Sequence, residues 1–220
     1  MKILVMSCDK NEDLFSLYYY CMEKYWPTHP EIIYSTETVI NPYYKTIPCY
    51  KKSWGLRMRE ALGQIDDDVI LLTLDDIFIR EPMDIRNEAF IQTLMSNKKI
   101  GFINLEGLYY DSTAEYNEWC DYFDVETAYY KASVMLNVFR KDCLYQLANN
   151  VDPWKFEFQQ PSKDYIYLIT KKPAMNFGKN KETECLWGIV GGKWTTECLK
   201  FFAKEGINIE YNKRGIKWNK

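Results

Sequence analysis

The stretch Val69-Ile70-Leu71-Leu72-Thr73-Leu74 is almost wholly apolar and stops on two adjacent carboxylates, Asp75 and Asp76. A short aliphatic run of this kind suits a strand buried on both faces, as in a parallel sheet covered by helices. In such sheets ligands bind outside the carboxyl ends of central strands. The apolar pattern resumes at Ile77-Phe78-Ile79, so the acids interrupt a buried segment. Burying two unpaired carboxylates is costly. A divalent cation carrying a phosphate would neutralise them, and hard oxygen ligands suit Mg²⁺ or Mn²⁺. Neighbours on a strand point to opposite faces, so both acids reach one ligand only if the strand ends and turns there.

The rest of the chain alternates strands with helices. Residues 2–6 read as a buried strand and Ser7 to Asp9 as its carboxyl-end loop. Asn11 is placed to cap a helix from Glu12 to Tyr25, with Leu14, Leu17, Tyr18, Cys21, Met22 and Tyr25 on one face. A strand over Glu31–Ser35 precedes a tyrosine-rich loop over 36–50. Ser53 caps a helix that ends near Gly63. The strand at 69–74 is expected to continue through Ile79 to Pro82. A helix over Glu88–Ser96 and a strand over Ile100–Leu105 follow. Residues 106–128 are acidic and aromatic, without a clean period, and read as an insertion over the site. Ala132–Arg140 is expected as a strand, Lys141–Asn149 as a helix, and Pro153 opens a short helical segment. A basic loop covers 171–184. Gly191-Gly192 precede a helix over Lys193–Glu205, and the tail from Tyr211 to Lys220 is basic. The alternation predicts a layered α/β domain with a mainly parallel sheet. With 220 residues, 47% of them hydrophobic, one sizeable core and one domain are expected.

Several chemistries are excluded. A net charge of −3 argues against a nucleic-acid binder. The first residues do not form a signal peptide, because the apolar run is short and Asp9 follows at once. No run approaches the roughly 18 apolar residues of a membrane span. The seven cysteines are scattered and lack a Cys-x-x-Cys pair, so they read as reduced thiols of the cytoplasm rather than disulfides or a zinc site. The one histidine, His29, sits between Thr28 and Pro30, which disfavours a histidine base. Neither a phosphate-binding Gly-x-x-x-x-Gly-Lys loop nor Gly-x-Gly-x-x-Gly occurs.

Among the polar residues, Asp66-Asp67-Asp68 precedes its strand, at the wrong end for a ligand, and is assigned to solvent. Ser7, Cys8 and Asp9 lie at a favoured end, where Asp9 could bind a nucleobase or ribose, or cap a helix. Arg57, one turn from Trp54, could pair with diphosphate oxygens through its planar fork, whereas Arg59 reads as an exposed helix charge. Glu157 is a lone acid in Pro153-Trp154-Lys155-Phe156-Glu157-Phe158, a setting that raises a carboxyl pKa and suits a general base. Lys171, Lys172, Lys179 and Lys181 could attract phosphate or be solvated. Aromatic residues make up 16% of the chain, with clusters such as Tyr18 to Tyr20 and Tyr129-Tyr130. Such rings either pack in the core or stack on sugar faces.

In this order the segments Ile3 to Leu14, Leu71 to Phe78, Ser133 to Asp142, Pro153 to Glu157 and Gly192-Lys193-Trp194 resemble small bacterial GT-A-type glycosyltransferases of surface-polysaccharide assembly. The resemblance implies a three-layer GT-A-like sandwich over residues 1–220, with a nucleotide-sugar-binding half (1–105) and an acceptor-side half (106–220). It implies a nucleotide-diphospho-sugar donor, a saccharide or lipid-linked acceptor, and Mn²⁺ or Mg²⁺. Leu74-Asp75-Asp76 stands where that family has Asp-x-Asp. Asp76 matches the metal ligand, Leu74 replaces the first acid, and the ribose contact falls to Asp75 or another group. Ser7, Cys8, Asp9 and Arg57 would complete the donor site. Glu157 would match the acceptor-side base, and the aromatic stretch from Tyr109 to Tyr130 would cover donor or acceptor. A sugar nucleotidyltransferase is the rival enzyme, although Ser7 to Asp13 lacks the glycine- and basic-rich loop those enzymes carry. A carbohydrate- or nucleotide-binding module without a base is the other rival. The expected location is the cytoplasm or the inner face of its membrane. The tail residues Lys213, Arg214, Lys217 and Lys220 would add only weak attraction to anionic lipid, and a solvated terminus is the expectation.

Overall fold

The computed structural model describes residues 1–50, 52–105, 112–172, 174, 187–210 and 213–217, with the backbone alone at Ile85, Ser112 and Thr113. Tyr109, Tyr110, Lys179, Lys181 and Lys220 of the sequence reading lie outside the described residues.

The aliphatic runs form the centre of the sheet. Strands β1 (Lys2–Met6), β2 (Ile32–Thr36), β3 (Lys45–Pro48), β4 (Val69–Leu74), β5 (Ile100–Asn104), β6 (Ser112–Glu115), β7 (Cys120–Phe123), β8 (Asn137–Arg140) and β9 (Ile166–Thr170) pair in the order β3-β2-β1-β4-β8-β5-β9-β7-β6. β8 runs antiparallel to β4 and β5, and β7 antiparallel to β9 and β6. The other strands of this sheet share one direction, so it is mainly parallel. β1 lies between β2 and β4, with Val5 opposite Tyr34 on one side and Thr73 on the other.

Alternate residues of the central strands enter two separate cores, as a period of two requires. Ile3, Val5 and Leu71 pack with α1 (Phe15–Tyr25), α3 (Ile85–Met95) and α6 (Thr196–Lys204). Leu4, Met6, Ile70 and Leu72 pack on the other face with α2 (Trp54–Gly63), α4 (Lys141–Leu147) and α5 (Pro153–Phe156). The result is the expected three-layer α/β sandwich. A second, three-stranded sheet joins β10 (Ile189–Val190), β11 (Lys193–Thr195) and β12 (Ile216–Lys217). Among the described residues no helix is long and apolar enough to cross a membrane.

Some local expectations fail for identifiable reasons. Asn11 does not cap a helix; it lies inside a 3₁₀ segment, Asp9–Leu14, and its side chain reaches Asp75 in the turn after β4 instead. Ile77-Phe78-Ile79 does not continue β4, because the acidic turn redirects the chain into the apolar core, where Ile77 makes one isolated bridge to Trp187. Only 137–140 of the expected strand 132–140 is strand, because the backbone bends over residues 134–136, where the Met135 amide donates to the Ser133 hydroxyl at 3.1 Å. Lys193 to Thr195 is strand rather than helix, and Thr195 then caps α6 by accepting from the Cys198 amide at 3.3 Å. The β6–β7 hairpin extends the sheet beyond β9, so this part of 106–128 does not cover the end of β4. β3 and β9, not anticipated, complete the sheet.

Candidate active site at the acidic turn

β4 stops at Leu74 because Asp75 and Asp76 form a turn, closed by the Ile77 amide donating to the Leu74 carbonyl at 3.3 Å. This is the geometry that lets both acids face one region. Asp75 is 1% exposed. One of its oxygens accepts from the Ser7 hydroxyl at the end of β1, and the other from the Asn11 amide nitrogen at 2.8 Å. Asp76 is half-buried, and its backbone carbonyl accepts from the Gly188 amide at 2.7 Å. Among the described residues no other side chain donates to the Asp76 carboxylate. Burial pushes both carboxyls well above the usual aspartate range, and the charge of Asp76 raises Asp75 further. The hydrogen bonds from Ser7 and Asn11 pull Asp75 back, and the positive charge of Arg214 opposes the rise at both acids.

The other donor-side candidates surround the end of β1. Ser7 continues the ladder, its amide donating to the Ser35 carbonyl at 2.9 Å. Burial, then the charges of Asp75 and Glu37, push the Cys8 thiol up, so it stays protonated. The Asp9 carboxylate accepts from the amides of Thr38 at 2.8 Å and Val39 at 3.0 Å, and also from the Thr38 hydroxyl. It therefore fixes the loop after β2. Arg57 is buried, donates to the Ser7 carbonyl at 2.7 Å, and pairs with Glu37 at 3.2 Å. Glu37 also accepts from the Asp9 amide at 2.6 Å. Ser7, Arg57 and Asp75 are thus brought together, with Cys8 beside them.

Glu157 follows α5. Its carbonyl accepts from the Lys131 amide at 2.6 Å, and its Oε1 accepts from the Val134 amide at 3.4 Å. Val134 precedes β8, whose antiparallel register with β4 carries residues 133–136 to the end of β4 where the acids lie. Glu157 is half-buried, and burial raises its carboxyl, offset in part by the Val134 amide. It makes no hydrogen bond or ion pair with Asp75 or Asp76. Beside it the exposed rings of Tyr129, Tyr130 and Phe158 pack on one another, with centroids 4.8–5.4 Å apart.

Three participants escaped the sequence reading. Asn11 binds Asp75. Arg214, assigned to a solvated tail, donates to the Asn11 side-chain oxygen at 3.0 Å and pairs with Asp13. Asp13 thereby anchors Arg214. The only sequence signal was the polarity of 9–13 after a central strand. Lys171 is paired with Glu115 at 3.0 Å, on the far edge of the sheet.

No cluster of three metal-ligating side chains occurs among the described residues. A divalent cation still fits the donor set, because Mg²⁺ usually binds through one or two carboxylates plus substrate phosphates and water. Asp76 is a half-buried carboxylate to which, among the described residues, no other side chain donates, whereas both oxygens of Asp75 are already engaged.

No protein-family model matches the chain, and no curated protein matches it. Among solved structures, S. aureus TarS is similar over 77% of this chain and 35% of its own, at 11% identity and a TM-score of 0.51. The chain therefore spans about a third of the length of TarS. CMP:2-keto-3-deoxy-manno-octonic acid synthetase aligns over 71% of this chain and 82% of its own, at 15% identity and a TM-score of 0.41. An active-site mutant of LgtC aligns over 74% of this chain and 68% of its own, at 11% identity and a TM-score of 0.38. At 11% identity the likeness to TarS shows the fold alone, an α/β domain built on a large, mainly parallel sheet, as the GT-A-like expectation had it.

Proposed function

We propose that the protein is a glycosyltransferase that moves a sugar from a nucleoside-diphosphate donor to a hydroxyl of a saccharide or lipid-linked acceptor, in surface-polysaccharide assembly in the cytoplasm or at the inner face of its membrane. The observation that carries this reading is the turn at the carboxyl end of β4, where two side chains donate to Asp75 and, among the described residues, no side chain donates to the Asp76 carboxylate. Asp76 would hold Mn²⁺ or Mg²⁺, which supplies positive charge opposite the departing diphosphate. Asp75, Ser7 and Cys8 form the floor under the nucleoside, and Arg57 and Asp9 hold that floor in place.

Glu157 is the base. Its Oε1 is engaged by Val134, so Oε2 takes the proton of the acceptor hydroxyl. The acceptor oxygen bonds to the anomeric carbon as the bond to the diphosphate breaks, and the nucleoside diphosphate leaves. The exposed rings of Tyr129, Tyr130 and Phe158 offer an apolar face for the acceptor sugar beside this carboxylate. Glycosyl transfer is favoured over nucleotidyl transfer because the loop after β1 contains no glycine and is occupied by Asp9, Asn11 and Asp13, which bind protein groups.

The test is product release. Nucleoside diphosphate freed from UDP-, GDP- or dTDP-sugars in the presence of Mn²⁺ and a saccharide mixture supports the reading. Pyrophosphate freed from nucleoside triphosphate and sugar phosphate, with no diphosphate release, overturns it in favour of nucleotidyl transfer.

A further inference from the structure

Arg214 lies more than two hundred positions from the acidic loop it grips. Its Nε donates to Asp13 Oδ2 at 2.8 Å, while its Nη2 donates to Asp13 Oδ1, to the Lys10 carbonyl and to Asn11 Oδ1, the last at 3.0 Å. The side chain is only 10% exposed. The segment around it is fixed as well. Gly215 adopts a φ of +66°, its carbonyl accepts from the Trp194 amide at 3.1 Å, and β12 pairs with β11. Residues 213–217 are therefore part of the structure at the first strand's end.

Guanidinium is a donor-only group with a rigid fork. Facing Arg214, Asn11 must present its oxygen. That leaves the amide nitrogen to donate to Asp75 Oδ1 at 2.8 Å. The two ends of an amide have nearly the same shape, so nothing steric selects this orientation. With the amide reversed, Asn11 would set its oxygen against the ionised Asp75 carboxylate, two acceptors facing each other. The pair with Asp13 alone would anchor the tail; the extra bond to Asn11 has its consequence at Asp75.

We propose that Arg214 is a positioning residue of the donor site, orienting the Asn11 amide and through it the Asp75 carboxylate, so that the C-terminal segment belongs to the nucleotide-binding machinery. This rests on the donor-site reading above. Arg214 acts without touching the nucleotide itself.

A double-mutant cycle tests the relay. Dissociation constants for UDP, GDP, ADP and CDP with Mn²⁺ are measured on the full chain, on Arg214→Met, on Asn11→Ala and on the double variant, with the melting temperature of each recorded without nucleotide. Methionine keeps the length of the stem and carries no donor. Each single change is expected to weaken the tightest-bound nucleotide about tenfold, and the double change no more than about tenfold, because the two act as one unit. Arg214→Lys, which keeps a donor opposite Asn11, is expected to recover most of the affinity, an outcome that mere loss of stability would not produce. Losses that multiply to about a hundredfold, or nucleotide affinity in Arg214→Met equal to that of the unaltered chain, overturn the relay while leaving the donor site standing. Should Arg214→Met not fold, Asn11→Ala and Arg214→Lys decide: unchanged affinity in Asn11→Ala overturns the relay. Absence of binding by the unaltered chain overturns the donor-site reading and the relay together.

Discussion

The Gly188 amide donates to the carbonyl of Asp76 across 2.7 Å, tying the small sheet to the acidic turn at its backbone. The approach requires glycine. A Cβ at Gly188 would lie 2.5 Å from Phe78 Cε2 and 3.1 Å from the Asp76 carbonyl oxygen. Gly188→Ala is expected to destabilise the fold by about 1–3 kcal/mol, the usual cost of overpacking. It should also displace Asp76 and weaken Mn²⁺-dependent nucleotide binding. Urea denaturation and nucleotide titration check both effects, and unchanged stability would show that the turn has room the structure does not display.

Glu157→Gln keeps the shape and removes the proposed proton acceptor. Turnover should fall by about 10²–10⁴-fold, the range for a lost general base, with nucleotide affinity unchanged. Because burial raises this carboxyl, the rate should climb with pH through a range above that of an ordinary glutamate, as the group ionises. A rate profile already flat across the range just above the ordinary glutamate pKa would remove Glu157 from the role of base.

The acidic turn also sets a pH dependence of stability. In the metal-free protein both acids hold their protons at a pH where the unfolded chain has lost them. The folded state therefore binds more protons, and stability falls as pH rises from the ordinary aspartate range through the raised native range. Asp76→Asn removes one of these ionisations. It is expected to be more stable than the unaltered chain above neutral pH, by on the order of 1–3 kcal/mol, with the difference vanishing in acid. Melting curves across pH give the answer, and a variant less stable at alkaline pH contradicts the electrostatic account.

Arg57 joins the carbonyl of Ser7 to Glu37 from a buried position. Lysine lacks the fork for both partners. Arg57→Lys should lose about 1.5–3 kcal/mol, the scale of a hydrogen bond to a charged group. Nucleotide affinity should fall with it, because Ser7 would lose its support. A variant with normal stability and reduced affinity would instead indicate direct contact with the diphosphate.

Much of the fold was legible because its central strands are aliphatic runs bounded by clear breaks. Residues 2–6 and 69–74 could hardly be anything else. Ser53 announced α2 by its capping chemistry, its side chain accepting from the Leu56 amide. β3, at the sheet edge, has one fully buried residue, Ile47, and so offered no pattern. The acids at the end of β4 were visible because they break an apolar period. Arg214 was not, since a cation in a basic tail looks the same whether it meets water or Asp13. Asn11 misled for a related reason: a side chain suited to capping the chain beside it is equally suited to bonding Asp75, 64 positions away. Long-range polar pairing leaves no periodic trace in a sequence.

The central claim is that Asp76 holds a cation that carries a nucleoside diphosphate. The most direct measurement is the melting temperature of the unaltered chain and of Asp76→Ala with UDP, GDP, ADP and CDP, each with and without Mn²⁺. At about 100 times its dissociation constant a bound nucleotide stabilises by roughly 2.7 kcal/mol, which is readily detected. The account predicts stabilisation of the unaltered chain by at least one nucleotide, enhanced by Mn²⁺, and loss of the Mn²⁺-dependent part in Asp76→Ala. Stabilisation of equal size in both proteins, or none in either, contradicts it.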